Sequence, residues 1–270
     1  MARRRLDAEL VRRGLAASRQ QAQADIAEGR VTVGGAPASK AARLVAPDEP
    51  VRVLGPPPRF VGRGGEKLDA ALERFALDVH GRRAVDVGAS TGGFTDCLLQ
   101  RGATSVVAVD VGYGQLHERL RADPRVEVHE RTNVRALGPG DLGHPGQVLV
   151  ADLSFISLRT VIPAMVALVD EDADLVVLVK PQFEAGREEA ARGRGVITDP
   201  AIWDRVLVEV ADALAAAGAA IMGAMVSPLT GADGNVEFLL HARRGPAALD
   251  APAPAGLLDA ALREARDRRA

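Results

Sequence analysis

The chain has almost no lysine. Of its 34 basic residues only Lys40, Lys67 and Lys180 are lysine, and the other 31 are arginine. It has one cysteine, Cys97, so neither an internal disulfide nor a multi-cysteine metal site can form, which fits a reducing compartment. The five histidines are scattered without paired ligand spacing, and no metal is expected. Aromatics are scarce, with six Phe, one Trp and one Tyr. That argues against a protein that stacks successive single-stranded bases, and a nucleic-acid partner would be held mainly through phosphates and shape. The longest near-apolar run, Ala213 to Val226, is mostly Ala and Gly and falls short of the roughly 20 residues of a membrane helix, so no membrane partner is expected. The basic start, Met1-Ala-Arg-Arg-Arg5, is not followed by the apolar stretch of a secretory signal, and the cytoplasm is the default location.

What is present is the composition of a globular protein: 270 residues, 47% hydrophobic, 26% charged, formal net charge -2. This length suits one large domain plus a small one. The stretch Leu54-Gly-Pro-Pro-Pro-Arg-Phe60 disfavours helix interior and central strand alike and reads as a stiff connector. Charge divides there too. Residues 1–61 carry 11 basic and 6 acidic side chains, net +5, which leaves 23 basic and 30 acidic, net -7, for the remainder.

In the basic module, Leu6, Leu10 and Val11 recur at helical spacing and Gly14 offers a stop. A second helix is expected from Ser18, as N-cap, to Gly29. Arg30-Val-Thr-Val-Gly-Gly-Ala36 reads as strand and tight turn, and Pro50-Val-Arg-Val-Leu54 as another strand. With Arg5-Leu-Asp7, Gly14-Leu15, Ser18-Arg19 and Lys40 in the same order, the module resembles an S4 domain. The resemblance implies RNA binding, with Arg3, Arg5, Arg19 and Lys40 as its contacts.

From residue 82 short β-branched runs alternate with helical stretches: Arg83 to Gly88, Ser105 to Asp110, Val126 to His129, Gln147 to Asp152, Asp174 to Lys180, then Ile221 to Val226 and Val236 to Leu240. This alternation predicts an α/β fold with a mainly parallel sheet and helices on both faces. After a Pro/Ala spacer, Gly256 to Arg269 reads as an amphipathic helix.

The first of these strands ends in Asp86-Val-Gly88-Ala-Ser90-Thr-Gly92-Gly93-Phe94, and the next ends in Asp110. Ligands in such sheets sit beyond the carboxyl ends of the strands, where glycine lets the backbone approach them and a carboxylate can bind ribose hydroxyls. The glycine spacing departs from the G-x-G-x-x-G of nicotinamide oxidoreductases, which disfavours that class. S-adenosylmethionine fits better, with the loop near its methionine moiety and Asp110 on the ribose hydroxyls.

In an arginine-dominated chain, lysine stands out because an ammonium can give up its proton whereas a guanidinium does not. Lys180 closes an apolar strand, Lys67 lies on the first helix after the connector, Asp152 closes another strand, and Glu237 lies early in the last. Lys67, Asp152, Lys180 and Glu237 resemble the catalytic tetrad of FtsJ-like ribose 2'-O-methyltransferases. Together with the S4-like module and the segments Ala151-Asp-Leu-Ser-Phe-Ile-Ser-Leu158, Val179-Lys-Pro-Gln-Phe-Glu184 and Gly234-Asn-Val-Glu-Phe238, the chain resembles the TlyA family of ribosomal RNA methyltransferases.

The resemblance implies a class I, Rossmann-like methyltransferase with a seven-stranded sheet, acting on a cytidine 2'-hydroxyl of 16S or 23S ribosomal RNA. Lys180 would be the base, with Lys67 and the sulfonium as neighbouring positive charges. Asp152 would orient Lys180 and help hold the cofactor, within a shell of Gly88, Ser90, Thr91, Gly93 and Phe94, with Asp110 on its ribose and Asn133 near its adenine; Phe94 reads equally as a core anchor. Lys67 and Glu237 would position the ribose and stabilise the developing oxyanion, and Asn235 reads either as a helper of Glu237 or as a turn residue after Gly234. Domains are expected at 1–53 (S4-like), 54–61 (connector), 62–245 (methyltransferase) and 246–270 (spacer and helix). Ribosomal RNA or a ribosomal subunit is the expected partner, and a monomer the default state. The competing readings are an RNA-binding assembly factor with a vestigial methyltransferase domain and a haemolysin-like activity.

Overall fold

The computed structural model describes residues 3–16, 19–27, 29–56, 58–231, 233–246 and 253–268. Ser18, the expected N-cap, and residues 247–252 of the Pro/Ala spacer lie outside them. The chain divides into two compact units between Arg59 and Phe60, inside the proline-rich stretch.

The first unit comprises β1 (Arg4–Arg5), α1 (Leu6–Arg12), α2 (Arg19–Ala27), β2 (Val31–Val33), β3 (Ala36–Pro37), β4 (Leu44–Val45) and β5 (Val51–Val53). Gly34 and Gly35, at φ +61° and +84°, make the two-residue turn that folds β3 back on β2, a conformation open to glycine. Leu6, Leu10, Ala22 and Ile26 bury one face of the helix pair against Val31, Val33 and Val45. The β1–β4 pair was not expected from the sequence, because strands of two residues carry no periodicity.

The second unit contains α3 (Gly64–Arg74), β6 (Arg83–Val87), α4 (Gly93–Gln100), β7 (Ser105–Val109), α5 (Glu118–Arg121), β8 (Val126–His129), β9 (Gly146–Ala151), α6 (Leu158–Ala167), β10 (Val169–Val179), α7 (Pro181–Glu184), α8 (Arg187–Arg192), α9 (Pro200–Ala216), β11 (Ala219–Val226), β12 (Phe238–Arg244) and α10 (Pro254–Asp267). Seven strands form one sheet in the order β11-β12-β10-β9-β6-β7-β8. All run parallel except β12, which is antiparallel to both its neighbours.

Strand residues alternate between two cores, as the pleat requires. Val85, Val107, Leu149 and Val177 join α6, α9 and α10 on one face. Ala84, Val106, Val148 and Val176 join α3 and α4 on the other. Three boundaries depart from expectation. β10 begins at Val169, ahead of Asp174, with an irregular register across the acidic stretch between them. Helix α10 starts at Pro254, whose fixed φ suits the first helical turn. Glu237 precedes β12 instead of lying within it.

Two carboxylates are buried under the α3/α4 face and respond to pH in opposite senses. Asp174 is 1% exposed and meets His241 Nε2 at 2.8 Å, Arg82 Nη1 at 2.8 Å and Arg243 at 3.4 Å. Burial pushes its pKa up, but the His241 and Arg82 contacts outweigh this and bring it down to about 2. Its stabilising contribution is therefore present above the ordinary aspartate range and lost as pH falls through about 2. Asp86 is fully buried in β6 and accepts hydrogen bonds from Thr95, from its Oγ1 at 2.6 Å and from its backbone amide. Burial, against the Thr95 bonds and with Asp152 and Asp110 nearby, pushes its pKa up to about 7.

Replacing Asp174 with Asn is predicted to cost about 3 kcal/mol at pH 7, because it strands two arginines and a histidine; equilibrium denaturation checks this, and a change within error rejects it. For Asp86→Asn the prediction is a pH effect. The wild type loses stability as pH rises from about 4 to about 7, since the unfolded carboxyl ionises first, and the Asn variant lacks that loss. At pH 8 the variant should melt at least about 3 °C above wild type, the shift expected of ~1 kcal/mol, while the gap closes at pH 4. Parallel curves across that range would contradict the assignment.

Candidate active site

The parallel strands deliver their carboxyl ends to one edge of the sheet, and the antiparallel β12 delivers its amino end to that same edge. Asp152 and Lys180 are the first residues beyond β9 and β10, and Glu237 immediately precedes β12. Lys67 reaches the edge from the first turn of α3. The structure joins the four as two ion pairs, Lys180 Nζ with Asp152 Oδ1 at 2.5 Å and Lys67 Nζ with Glu237 Oε2 at 2.5 Å. Each lysine thus has a carboxylate beside it: Asp152 stands against Lys180 in the arrangement expected of it, and Lys67, expected to act on Lys180 as a neighbouring positive charge, is itself paired with Glu237. Lys67 and Glu237 are deeply buried; Lys180 and Asp152 remain partly open, and Lys180 also donates to Ser154 Oγ at 3.0 Å.

Beside the Lys180 pair lie two adjoining cavities. The larger, about 430 Å³, is lined by Gly88, Ser90, Asp110, Asn133, Asp152 and Phe155 among others. The smaller, about 160 Å³, is bounded by Gly64, Thr91, Gly93, Phe94, Asp152 and Lys180. Gly88, Ser90, Asp152 and Ser154 line both. All eight expected cofactor residues therefore border this space.

Local geometry explains their types. Gly88 has φ +85°, and a Cβ there would lie 2.6 Å from the Asp152 carbonyl oxygen, so only glycine allows β6 and β9 to approach so closely. At Gly93 a Cβ would lie 2.9 Å from the Gly65 nitrogen, blocking the approach of α4 to α3. Asp110 accepts from the Ser90 amide at 2.7 Å and the Gly112 amide at 2.6 Å. It thereby fastens two loops and holds Ser90 in the left-handed region at φ +48°. Asn133 caps a short 3-10 turn by accepting from the Arg135 amide at 3.1 Å.

Phe94 is both core anchor and cavity wall: its ring is buried among Phe60, Leu68 and Leu98 and also borders the smaller cavity. Cys97 is buried helix packing. Asn235 does not assist Glu237 with its side chain. It accepts from the Ile197 amide at 2.9 Å and donates to the Gly195 carbonyl at 2.8 Å, tying the 193–197 loop to the turn before β12.

Sequence reasoning missed three residues. Ser154 is a second partner of Lys180. Phe155 is 90% exposed at φ +65°, with its ring 5.1 Å from that of Phe183. Glu184, 4% exposed, accepts from Ser157 Oγ at 2.5 Å and from the Leu158 amide at 2.6 Å. An exposed aromatic beside a strand end was the one available signal, in the run Ser154-Phe-Ile-Ser157.

In the first unit Arg5 and Arg19 both bond Asp7 Oδ2 at 3.0 Å. The Arg5 guanidinium first, then Gln23 and Arg19, hold the buried Asp7 carboxyl well below the usual range against the cost of burial. Both guanidinium groups stay largely exposed and are fixed in orientation. Arg3 and Lys40 are exposed on the same unit.

The cavity fits S-adenosylmethionine on its own chemistry: a glycine-lined approach, two carboxylates, Asp110 and Asp152, for a cationic ligand with ribose hydroxyls, and apolar walls from Val87, Val109 and Val134.

Comparison with known proteins points the same way. Residues 60–244 match the FtsJ-like methyltransferase family and residues 4–51 the S4 domain. A Mycobacterium tuberculosis protein named 16S/23S rRNA (cytidine-2'-O)-methyltransferase TlyA is 53% identical over 90% of this chain and 91% of its own. Hemolysin A of Brachyspira hyodysenteriae is 36% identical over 88% of this chain and 98% of its own. A solved structure from Streptococcus thermophilus, described as a candidate hemolysin, is 35% identical and covers 100% of this chain and 99% of its own at a TM-score of 0.76. With both domains in order along nearly its whole length, the chain belongs to the FtsJ-like methyltransferases, in the S4-containing TlyA family.

Proposed function

We propose that the protein methylates the 2'-hydroxyl of a cytidine ribose in ribosomal RNA, with S-adenosylmethionine as donor, in the cytoplasm. The observation that carries this reading is the pair of lysine–carboxylate contacts at the carboxyl edge of the sheet, one of them bordering the cofactor cavity. S-adenosylmethionine, when bound, supplies an electrophilic methyl group.

The protein's own residues must then align and deprotonate the acceptor. A ribose hydroxyl attacks well only once its proton is removed or strongly hydrogen-bonded. Lys180, in its neutral amine form, takes that proton at Nζ, an atom held in position by its contacts with Asp152 and Ser154. Lys67, held by Glu237, adds a fixed positive charge for the developing oxyanion, and the rigid pairing supplies the orientation on which the rate depends. Phe155 offers an exposed face beside this centre on which the acceptor base can stack.

The first unit supplies the RNA grip. Arg5 and Arg19, pre-oriented by Asp7, join Arg3 and Lys40 as phosphate contacts. The hemolysin names among the relatives bring no competing observation here: among the described residues no helix is long and apolar enough to cross a membrane.

Transfer of tritiated methyl groups to ribosomal subunits, followed by mapping of ribose methylation, tests the activity; absence of label in RNA rejects it. Lys180→Arg keeps the positive charge but cannot act as the base, and turnover should fall at least about 100-fold, the lower end of general-base contributions. Turnover near wild type would remove Lys180 from that role. RNA affinity of the whole chain should fall steeply with salt, by about tenfold or more between 50 and 200 mM, if several phosphates are contacted. A flat response would remove the phosphate-binding role from the four basic residues.

A further inference from the structure

Two segments carry the acceptor side of the site. One is the loop 152–157 after β9; the other is 180–184 after β10. They are joined at three places along their length. At the near end Lys180 meets Asp152 and Ser154. In the middle the Phe155 and Phe183 rings lie 5.1 Å apart, with Lys180 Nζ 5.9 Å from the Phe183 ring centre. At the far end the buried Glu184 carboxylate accepts from Ser157 Oγ at 2.5 Å and the Leu158 amide at 2.6 Å.

The far contact is unusual in its source. Ser157 is the N-cap residue of α6, yet its hydroxyl makes no capping bond of its own. Instead the orphan amide of the first turn is satisfied by a carboxylate from the other segment. Arg159 encloses it, donating to the Glu184 carbonyl at 2.9 Å and pairing with Glu209 of α9 at 2.6 Å. A carboxylate with 4% exposure has no alternative partner in water, so it holds these donors at a fixed distance. Because Glu184 lies four residues after Lys180, and Ser157 three after Ser154, that distance also sets how the Lys180 backbone faces Ser154.

We propose that Glu184 is a positioning residue for methyl transfer, a clamp that fixes the Ser154–Ser157 loop against the Lys180 segment so that Nζ and the Phe155 face hold their places. This rests on the reading of Lys180 as base. Nothing in it requires Glu184 to touch RNA or cofactor.

The test uses the full chain, ribosomal subunits as substrate, and the variants Glu184→Ala, Glu184→Gln and Ser157→Ala. Glu184→Ala should lower kcat about tenfold, less than the ~100-fold cost of a 1 Å misplacement, since two of the three contacts remain. Glu184→Gln keeps an acceptor for the Leu158 amide and should recover to within about threefold of wild type. Ser157→Ala, which leaves the carboxylate and the amide in place and is the milder change, should fall between them. In a Lys180→Arg background Glu184→Ala should cause little further loss, since both act through one group. Wild-type kcat in Glu184→Ala with only a lowered melting temperature overturns the proposal. So does an undiminished tenfold loss in the Lys180→Arg background. Wild-type turnover of Lys180→Arg alone instead removes the base reading, so the two failures are distinguishable.

Discussion

The site depends on the pairing of β10 with its two neighbours in opposite senses. Parallel pairing with β9, in which Val177 faces Ala151, brings Asp152 and Lys180 out at one edge. Antiparallel pairing with β12, in which Val179 faces Phe238, brings the residue before β12 to that edge as well. Were β12 parallel, Glu237 would emerge at the opposite end of the sheet, a strand length from Lys67. A single reversed strand therefore converts residues separated by up to 170 positions into two ion pairs. The same edge receives the glycine turn after β6, whose close approach to the Asp152 carbonyl lets the cofactor cavity and the Lys180 pair share a wall.

Much of this was legible in the sequence because it is written in local chemistry. Short β-branched runs announced the strands, and the residues just past them announced the edge. The glycines at 88 and 93 stand where a Cβ would collide with backbone. The lysines stood out only because arginine fills nearly every other basic position. What was not legible depends on pairing across the chain. The placing of Asp152 beside Lys180 came only with the family resemblance, and the pairing of Lys67 with Glu237 was not read at all, since spacing says nothing about which carboxylate lies nearer. Nor could the capping of α6 by Glu184, because the capping residue arrives from a different element 26 positions away. Sequence proximity to Glu237 could not choose between the two readings of Asn235, helper and turn residue; its amide turns back to the 195–197 loop, which favours the turn.

Arginine and lysine divide the electrostatic work along lines set by their geometry. Arg82 bonds the Asp174 carboxylate and the Gln147 carbonyl together, and Arg83 reaches Ser105, Glu127 and the Leu142 carbonyl. A planar fork with five donors suits such bridging between elements. In the first unit the same property lets Arg5 and Arg19 converge on one buried carboxylate oxygen of Asp7 while their charged planes stay exposed. The charge split along the sequence is therefore only part of the RNA-facing argument, since two of the four expected contacts are partly neutralised by Asp7 and gain orientation in exchange.

Lysine is kept where a fork would fail. At Lys67 the ammonium sits against Glu237 in a pocket that leaves the lysine side chain 9% and the glutamate 2% exposed, with the turn at Gly231 closing on the carboxylate. A guanidinium there would bring donors beyond the one carboxylate available, and each donor without a partner in a buried site carries its own desolvation cost. At Lys180 the constraint is chemical instead of steric. As the proposed base, residue 180 must be a cation that Asp152 and Ser154 can hold in place and that can also exist without its extra proton; lysine meets both conditions and arginine does not.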